Sequence, residues 1–313
     1  MKEWKLDPVE PIPALFTKGY SSSPTLNSVF LYLEKSSFFP FMPDHITVLF
    51  IADIVGTPGL QILDTLLPSL KQKYKPDFII ANGENSHEGM GINEEIVKHL
   101  YDIGVHVITG GNHSFDKWKI QPYMKTDKNL LRPLNYPKGV NGYGFGVYDI
   151  PGHKKKIGVL NLQGRTYLPS IDDPFRTGEW ALEKIAEETN LIFIDFHAEA
   201  TAEKVAFGWH ADGKASVMVG THTHIPTNDA KILPRGMGYI TDAGMTGSFN
   251  SVIGMDKDTA LRRFMLATPQ KYIGANGDNR ICGVLSKIDT ESGKCVHIEP
   301  IIYPSFNTST LKS

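Results

Sequence analysis

Four short polar clusters, each placed after a β-like run, carry residue types that bind metal ions. They are Asp53 after ITVLFIA, Gly83-Glu84-Asn85 after FIIAN, Gly111-Asn112-His113 after VHVITG, and Gly220-Thr221-His222-Thr223-His224 after ASVMV. His197, closing LIFIDF, is a lone fifth member. Acids, amides and imidazoles are costly to bury, so a sheet that repeatedly ends in them is gathering them for a purpose. Carboxylates, carboxamides and histidines without a thiolate form an all-N/O ligand inventory. Taken singly, each cluster also reads as a turn or a helix cap. In His222-x-His224 the spacing predicts two imidazoles on one side of a strand, facing a single centre.

The elements that must position these residues alternate in type. Residues 46–52 form a near-continuous apolar run, as expected of a strand buried on both faces. Gly56-Thr57-Pro58-Gly59 turns into a helix through about Lys73, with Leu60, Leu63, Leu66, Leu67 and Leu70 at helical spacing. A strand follows over 77–81, a helix capped by Asn93 through Tyr101, and a strand over 105–109. This β-α-β-α-β order predicts a parallel sheet. Further strands are expected over 156–162, 191–196 and 215–219, with helices over 178–188 and 200–209 between them. Short strands near 231–233 and 238–241 and a hairpin pairing 281–289 with 294–302 complete the list. The expected fold is α/β: two mixed β-sheets packed as a sandwich, with helices on the outer faces. Ligands of open α/β sheets bind at the carboxyl ends of strands, where all these clusters fall.

Bulk properties exclude several classes. Net charge is −2, which gives no basic field for non-specific nucleic-acid binding. The 2 cysteines, Cys282 and Cys295, rule out a disulfide scaffold and are expected as reduced thiols, facing each other on the hairpin, in a cytoplasmic protein. No apolar run reaches the roughly 18 residues of a membrane span. Residues 1–44, rich in Pro and Ser, read as a loosely ordered leader, or as a mis-assigned start with translation beginning at Met42. Residues 45–305 read as a single domain and 306–313 as a tail.

The ordered set Asp53…Gly83-Glu84-Asn85…Gly111-Asn112-His113…His197…Gly220-Thr221-His222-Thr223-His224 resembles the signature of the calcineurin-like metallophosphoesterases. Longer strings narrow the resemblance to the YmdB-type branch: FIADIVG at 50–56, NGEN at 82–85, NLQGRT at 161–166, FIDFHAEAT at 193–201, GTHTH at 220–224 and DAGMTG at 242–247. The chain departs from the wider superfamily in having Asp53-Ile54-Val55 for the usual Asp-x-His, and Glu84 for the usual bridging Asp. The resemblance implies a dinuclear centre. Glu84 bridges; Asp53, Asn85 and His224 complete one ion's shell, and Asn112, His197 and His222 the other's.

Two divalent ions about 3.5–4 Å apart repel, and a shared carboxylate with a bridging hydroxide lowers that repulsion. Such a centre polarises a phosphate and supplies hydroxide near neutral pH for in-line attack. His113, beside Asn112, is the candidate general acid, with a hydrogen-bonding role near the metals as its alternative. Arg165 is a candidate phosphate clamp, or else a structural partner of Asp172 or Asp173. Asp195 is a candidate for orienting the His197 ring, or else a satisfied structural carboxylate. By resemblance, the expected activity is hydrolysis of 2′,3′- and 3′,5′-cyclic nucleotides, and the expected ions are iron, with manganese or zinc as alternatives. A phosphomonoesterase or phosphoprotein phosphatase on the same site, and a nucleotide-sensing regulator with feeble turnover, are the competing readings. The expected partner is a small-molecule cyclic nucleotide; RNA ends and a homo-oligomer stay open.

Overall fold

The computed structural model describes residues 44–306. Nearly all of the expected leader and tail, and the start at Met42, lie outside the described residues. In chain order the first half contains β1 (His45–Ile51), β2 (Asp53–Ile54), α1 (Gly56–Tyr74), β3 (Phe78–Asn82), α2 (Glu94–Asp102), β4 (Val107–Thr109) and α3 (Gln121–Met124). Then come β5 (Phe145–Asp149), β6 (Lys156–Gln163), α4 (Pro174–Ala186), β7 (Ile192–His197), α5 (Thr201–Ala211), β8 (Val217–Thr221), β9 (Lys231–Ile232) and β10 (Gly238–Ile240). β11 (Met245–Ser248), α6 (Lys257–Leu266), β12 (Asn279–Asp289) and β13 (Cys295–Tyr303) follow.

These strands form two mixed sheets. A 7-stranded sheet runs β2-β11-β12-β1-β3-β4, with β13 also on β12; a 6-stranded sheet runs β5-β6-β7-β8-β10-β9. β1, β3 and β4 are mutually parallel, while β12 joins β1 antiparallel, so the expected parallel unit sits inside a mixed sheet. β6, β7 and β8 are likewise parallel. The inner faces of the two sheets meet in one apolar core that includes Val48, Phe50 and Ile80 from the first and Val159, Phe193 and Val219 from the second. Phe50 and Phe193 stack across it with ring centroids 5.5 Å apart. Burying each ring stabilises the sandwich by about 1.5–3 kcal/mol. On the outer faces, α1 and α2 cover the first sheet and α4 and α5 the second.

Local sequence explains these helices. α1 buries Leu63, Leu67 and Leu70, a stripe at helical spacing, and ends at Lys75 in the left-handed conformation (φ 46). Asn93 caps α2 by accepting from the Ile96 N–H at 2.8 Å. α4 starts earlier than its apolar pattern suggests, because Asp173 accepts from the Phe175 and Arg176 N–H groups and Pro174 opens the helix. One expectation fails in the terminal hairpin. Cys282 pairs with Ile302 and Cys295 with Ile288, so the register separates the thiols, and both are free and buried. Among the described residues no helix is long and apolar enough to cross a membrane.

Candidate metal centre

The parallel strands of both sheets deliver their carboxyl ends to one place. Asp53 opens β2, whose register with β11 (Met245 against Asp53) fixes the carboxylate. Glu84 and Asn85 follow β3, Asn112 and His113 follow β4, His197 closes β7, and His222 and His224 follow β8. The first sheet thus contributes the acids, the amides and His113, and the second contributes the other three imidazoles. Gly111 is required by close approach: a Cβ there would stand 2.3 Å from Glu84 Oε2 and 2.4 Å from the His197 ring.

Two groups of side chains gather around Glu84. In one, His224 Nε2 lies 3.4 Å from Asp53 Oδ2 and 3.1 Å from Asn85 Nδ2. In the other, His197 Nε2 lies 3.0 Å from Asn112 Oδ1 and 3.1 Å from His222 Nδ1. Glu84 Oε1 touches both groups, at 3.0 Å from Asn85 Nδ2 and 3.0 Å from His197 Nε2. Its Oε2 accepts the His113 backbone N–H at 2.9 Å. The ligand atoms of Glu84, His197 and His222 fall within 4.8 Å of one another, close enough to hold one ion.

His222 and His224 reach these groups by a route the spacing did not predict. β8 stops at Thr221, and both histidines lie beyond it in the left-handed region, with φ 97 and φ 65. The turn therefore sends the rings to different groups, where strand alternation would have sent both one way.

The residues fit a cation on three grounds. First, each imidazole has its outer nitrogen occupied by an acceptor. His224 Nδ1 donates to the Ile253 carbonyl at 2.9 Å, and His222 Nε2 lies 3.0 Å from Glu199 Oε2. The Thr221 hydroxyl gives its proton to Asp195 at 2.6 Å and so accepts from His197 Nδ1 at 2.9 Å. In the neutral rings this leaves the inner nitrogens as lone pairs, the arrangement that metal-binding histidines use. Second, Asp53 Oδ1 is buried with no hydrogen-bond partner, a costly state that a cation relieves. Third, the carboxamide of Asn85 presents oxygen in place of nitrogen after a half-turn about its last bond.

The electrostatics agree. Burial alone would lower the His197 pKa, but the Glu84 carboxylate against it raises it to about 9. Burial would raise the Glu84 carboxyl, but His197 and the His113 N–H hold it down at about 2. Burial and the neighbouring His197 press His222 to about 3. In the metal-free protein a proton on His197 stands where a cation would go.

The remaining expected residues sit as follows. His113 is partly exposed, with Nδ1 2.7 Å from Asp116 Oδ2 and no partner at Nε2 among the described residues. Asp195 acts on His197 through Thr221 and also accepts from Asn82 and Thr109; burial raises its carboxyl to about 6. Of the two partners considered for Arg165, the structure has Asp173, at 3.0 Å on the surface. Glu199, Thr221 and Asp116 were missed as site residues, though Glu199 and Thr221 lie inside the FIDFHAEAT and GTHTH strings. Gln163, in register with His197, is buried with neither polar side-chain atom partnered.

A family model described as YmdB-like protein matches residues 49–301. The chain belongs to the YmdB-like family. It is 46% identical over 255 residues to a Bacillus subtilis protein named 2′,3′-cyclic-nucleotide 2′-phosphodiesterase, covering 82% of this chain and 96% of that one. Among solved structures it resembles a hypothetical protein from Thermus thermophilus, with TM-score 0.76 and 37% identity over 82% of this chain and 99% of that one. It also resembles a protein described as a novel phosphatase from Mycoplasma pneumoniae, with TM-score 0.78 and 33% identity over 83% and 94%. These likenesses bear out the two-sheet α/β sandwich expected from the sequence.

Proposed function

We propose that the chain is a dinuclear-metal phosphodiesterase that hydrolyses cyclic nucleotides, the 2′,3′ form first and the 3′,5′ form as a second substrate. The observation that carries this reading is the common orientation of His197, His222 and His224, each tied at its outer nitrogen and open at its inner one. The name of the Bacillus subtilis relative supplies the substrate class. Asp53, Asn85 and His224 would hold one ion and Asn112, His197 and His222 the other, with Glu84 shared. Bound there, two cations supply Lewis acidity for phosphoryl oxygens and an activated water at neutral pH. Iron, manganese and zinc all suit the donor set.

The chain's own groups then complete the reaction. Opening a 2′,3′-cyclic phosphate breaks one P–O bond, and the departing ribose oxygen needs a proton. His113 supplies it from Nε2, while Asp116 at Nδ1 holds the ring in place. Arg165 can offer a phosphate the N–H groups that Asp173 leaves free. A cavity of about 620 Å³ is formed by segments that follow the ligands, with Val55, Glu88, Lys117, Lys271 and Tyr272 in its wall. Its lysines and aromatic ring suit a nucleotide. None of the site residues lines this cavity itself, and none lines a larger cleft of about 1100 Å³ between the β4 and β5 edges.

Metal analysis of freshly purified protein, paired with product identification from 2′,3′-cyclic AMP, tests the proposal. Two ions per chain and a nucleoside monophosphate are expected; a metal-free active protein overturns it. The phosphatase description of the Mycoplasma pneumoniae relative favours a second reading, a phosphomonoesterase. Faster turnover of simple monoesters than of cyclic nucleotides would select it.

A further inference from the structure

Thr223 stands between the two histidines of the turn and is tied to a charge pair inside the protein. Its hydroxyl donates to Asp242 Oδ2 at 2.7 Å and its backbone N–H to the same oxygen at 3.2 Å. Lys204 Nζ donates to that oxygen at 2.6 Å. Lys204 lies on α5 and Asp242 just beyond β10, and each is 1% exposed. The second oxygen of Asp242 accepts from the Gly244 N–H at 2.8 Å. Thr227 grips the Asp242 backbone from the other side, donating to its carbonyl at 3.0 Å and accepting its N–H at 2.9 Å.

A lysine this deeply buried is rare, and a buried ion pair is weak evidence for stability. Its best-attested use is to specify one arrangement over another. Here the arrangement needing specification is at hand. His222 at φ 97 and His224 at φ 65 occupy backbone regions that are strained for a non-glycine residue and persist only where surroundings over-determine them. Relaxed to an extended strand, the same segment would point both rings to one side. In the folded protein His222 goes to His197 and His224 to Asp53.

We propose that Lys204, Asp242 and Thr223 form a positioning device that divides His222 and His224 between the two ion sites. This rests on the dinuclear reading above. The device touches neither substrate nor ions; it acts through the turn. Because it sits between the two histidines, its loss weakens both ions together, whereas loss of a single ligand weakens chiefly one.

Thr223→Val keeps the shape and removes the hydroxyl; Thr223→Ser keeps the hydroxyl. Metal titration by calorimetry on chelated protein, alongside thermal melting, reads the outcome. Thr223→Val should bind both ions about 10–100-fold more weakly with a melting curve close to wild type. Thr223→Ser should match wild type, and added metal should restore turnover of Thr223→Val. The paired replacement Lys204→Met with Asp242→Asn should show the same weakening at both sites. Wild-type affinity in Thr223→Val, or weakening of one ion alone, overturns the inference. A wild-type protein that binds fewer than two ions overturns the dinuclear reading instead.

Discussion

Glu84 Oε1 stands 3.0 Å from His197 Nε2, and both side chains are sealed from solvent. Without a metal this is an ion pair, and it makes stability depend on pH in a definite direction. The His197 pKa rises from 6.5 to about 9 on folding, so its contribution is complete below pH 6.5 and is lost as pH climbs towards 9. The Glu84 pKa falls from 4.5 to about 2, so its contribution is complete above pH 4.5 and is lost as pH drops towards 2. Chelated protein should therefore melt highest between about pH 4.5 and 6.5 and lose stability from pH 6.5 to 9. Metal-loaded protein should lack that alkaline decline, because the ion replaces the proton. Melting temperature against pH, with and without chelator, checks this; superimposable curves refute it.

Glu199 ties the outer nitrogen of His222 from an exposed position, so it can be changed without opening the core. Glu199→Gln should weaken one ion by about 10–100-fold and leave the other in place. Metal titration with separate fits for two sites is the measurement. Equal affinities in variant and wild type would remove Glu199 from the centre.

The proposed mechanism gives His113 the proton-transfer role, and removing the ring tests it separately from metal binding. His113→Ala should keep both ions and lose turnover by about 10²–10⁴-fold on cyclic nucleotides. A p-nitrophenyl diester, whose leaving group needs no proton, should lose far less. Equal losses on both substrates would mean that His113 does not act as an acid.

Burial raises the thiol of Cys282 to about 12 and that of Cys295 to about 11. Thiolate is the reactive form, so the native protein should resist alkylation at pH 8 while the unfolded chain reacts at once. Mass spectrometry after iodoacetamide treatment reads this directly. Rapid labelling of the native protein would contradict the buried placement of both residues.

Legibility varied along the chain with the strength of the physical signal. Strands buried on both faces, such as β1, and the leucine stripe of α1 declare themselves by pattern, and the strand-end clusters followed from them. α6 was missed although Ala260, Leu261, Phe264 and Met265 stand at helical spacing; only Ala260 of that stripe is buried, with Phe264 and Met265 77% and 81% exposed. β11 lies in a segment given no element from the sequence and is a strand by pairing with β2 and β12. His222 and His224 were found by residue type, but their divergence is set by Asp242 and Lys204, remote in sequence. Thr221 and Glu199 escaped notice because their importance lies in which nitrogen they occupy, a property of three-dimensional placement.

The division of ligands between the two sheets bears on assembly. In the proposed centre Asp53, Glu84, Asn85 and Asn112 come from one sheet and the three ligand imidazoles, His197, His222 and His224, from the other, so neither sheet alone would own a complete coordination shell. An ion that demands both donor classes would be captured only after the halves have docked in register. It would then work as a clasp across the open end of the sandwich. Hydrogen exchange in the strand ends around Asn82 and His197 should slow when the clasp closes, while the opposite rim, out towards Phe78 and Lys156, keeps its metal-free rate.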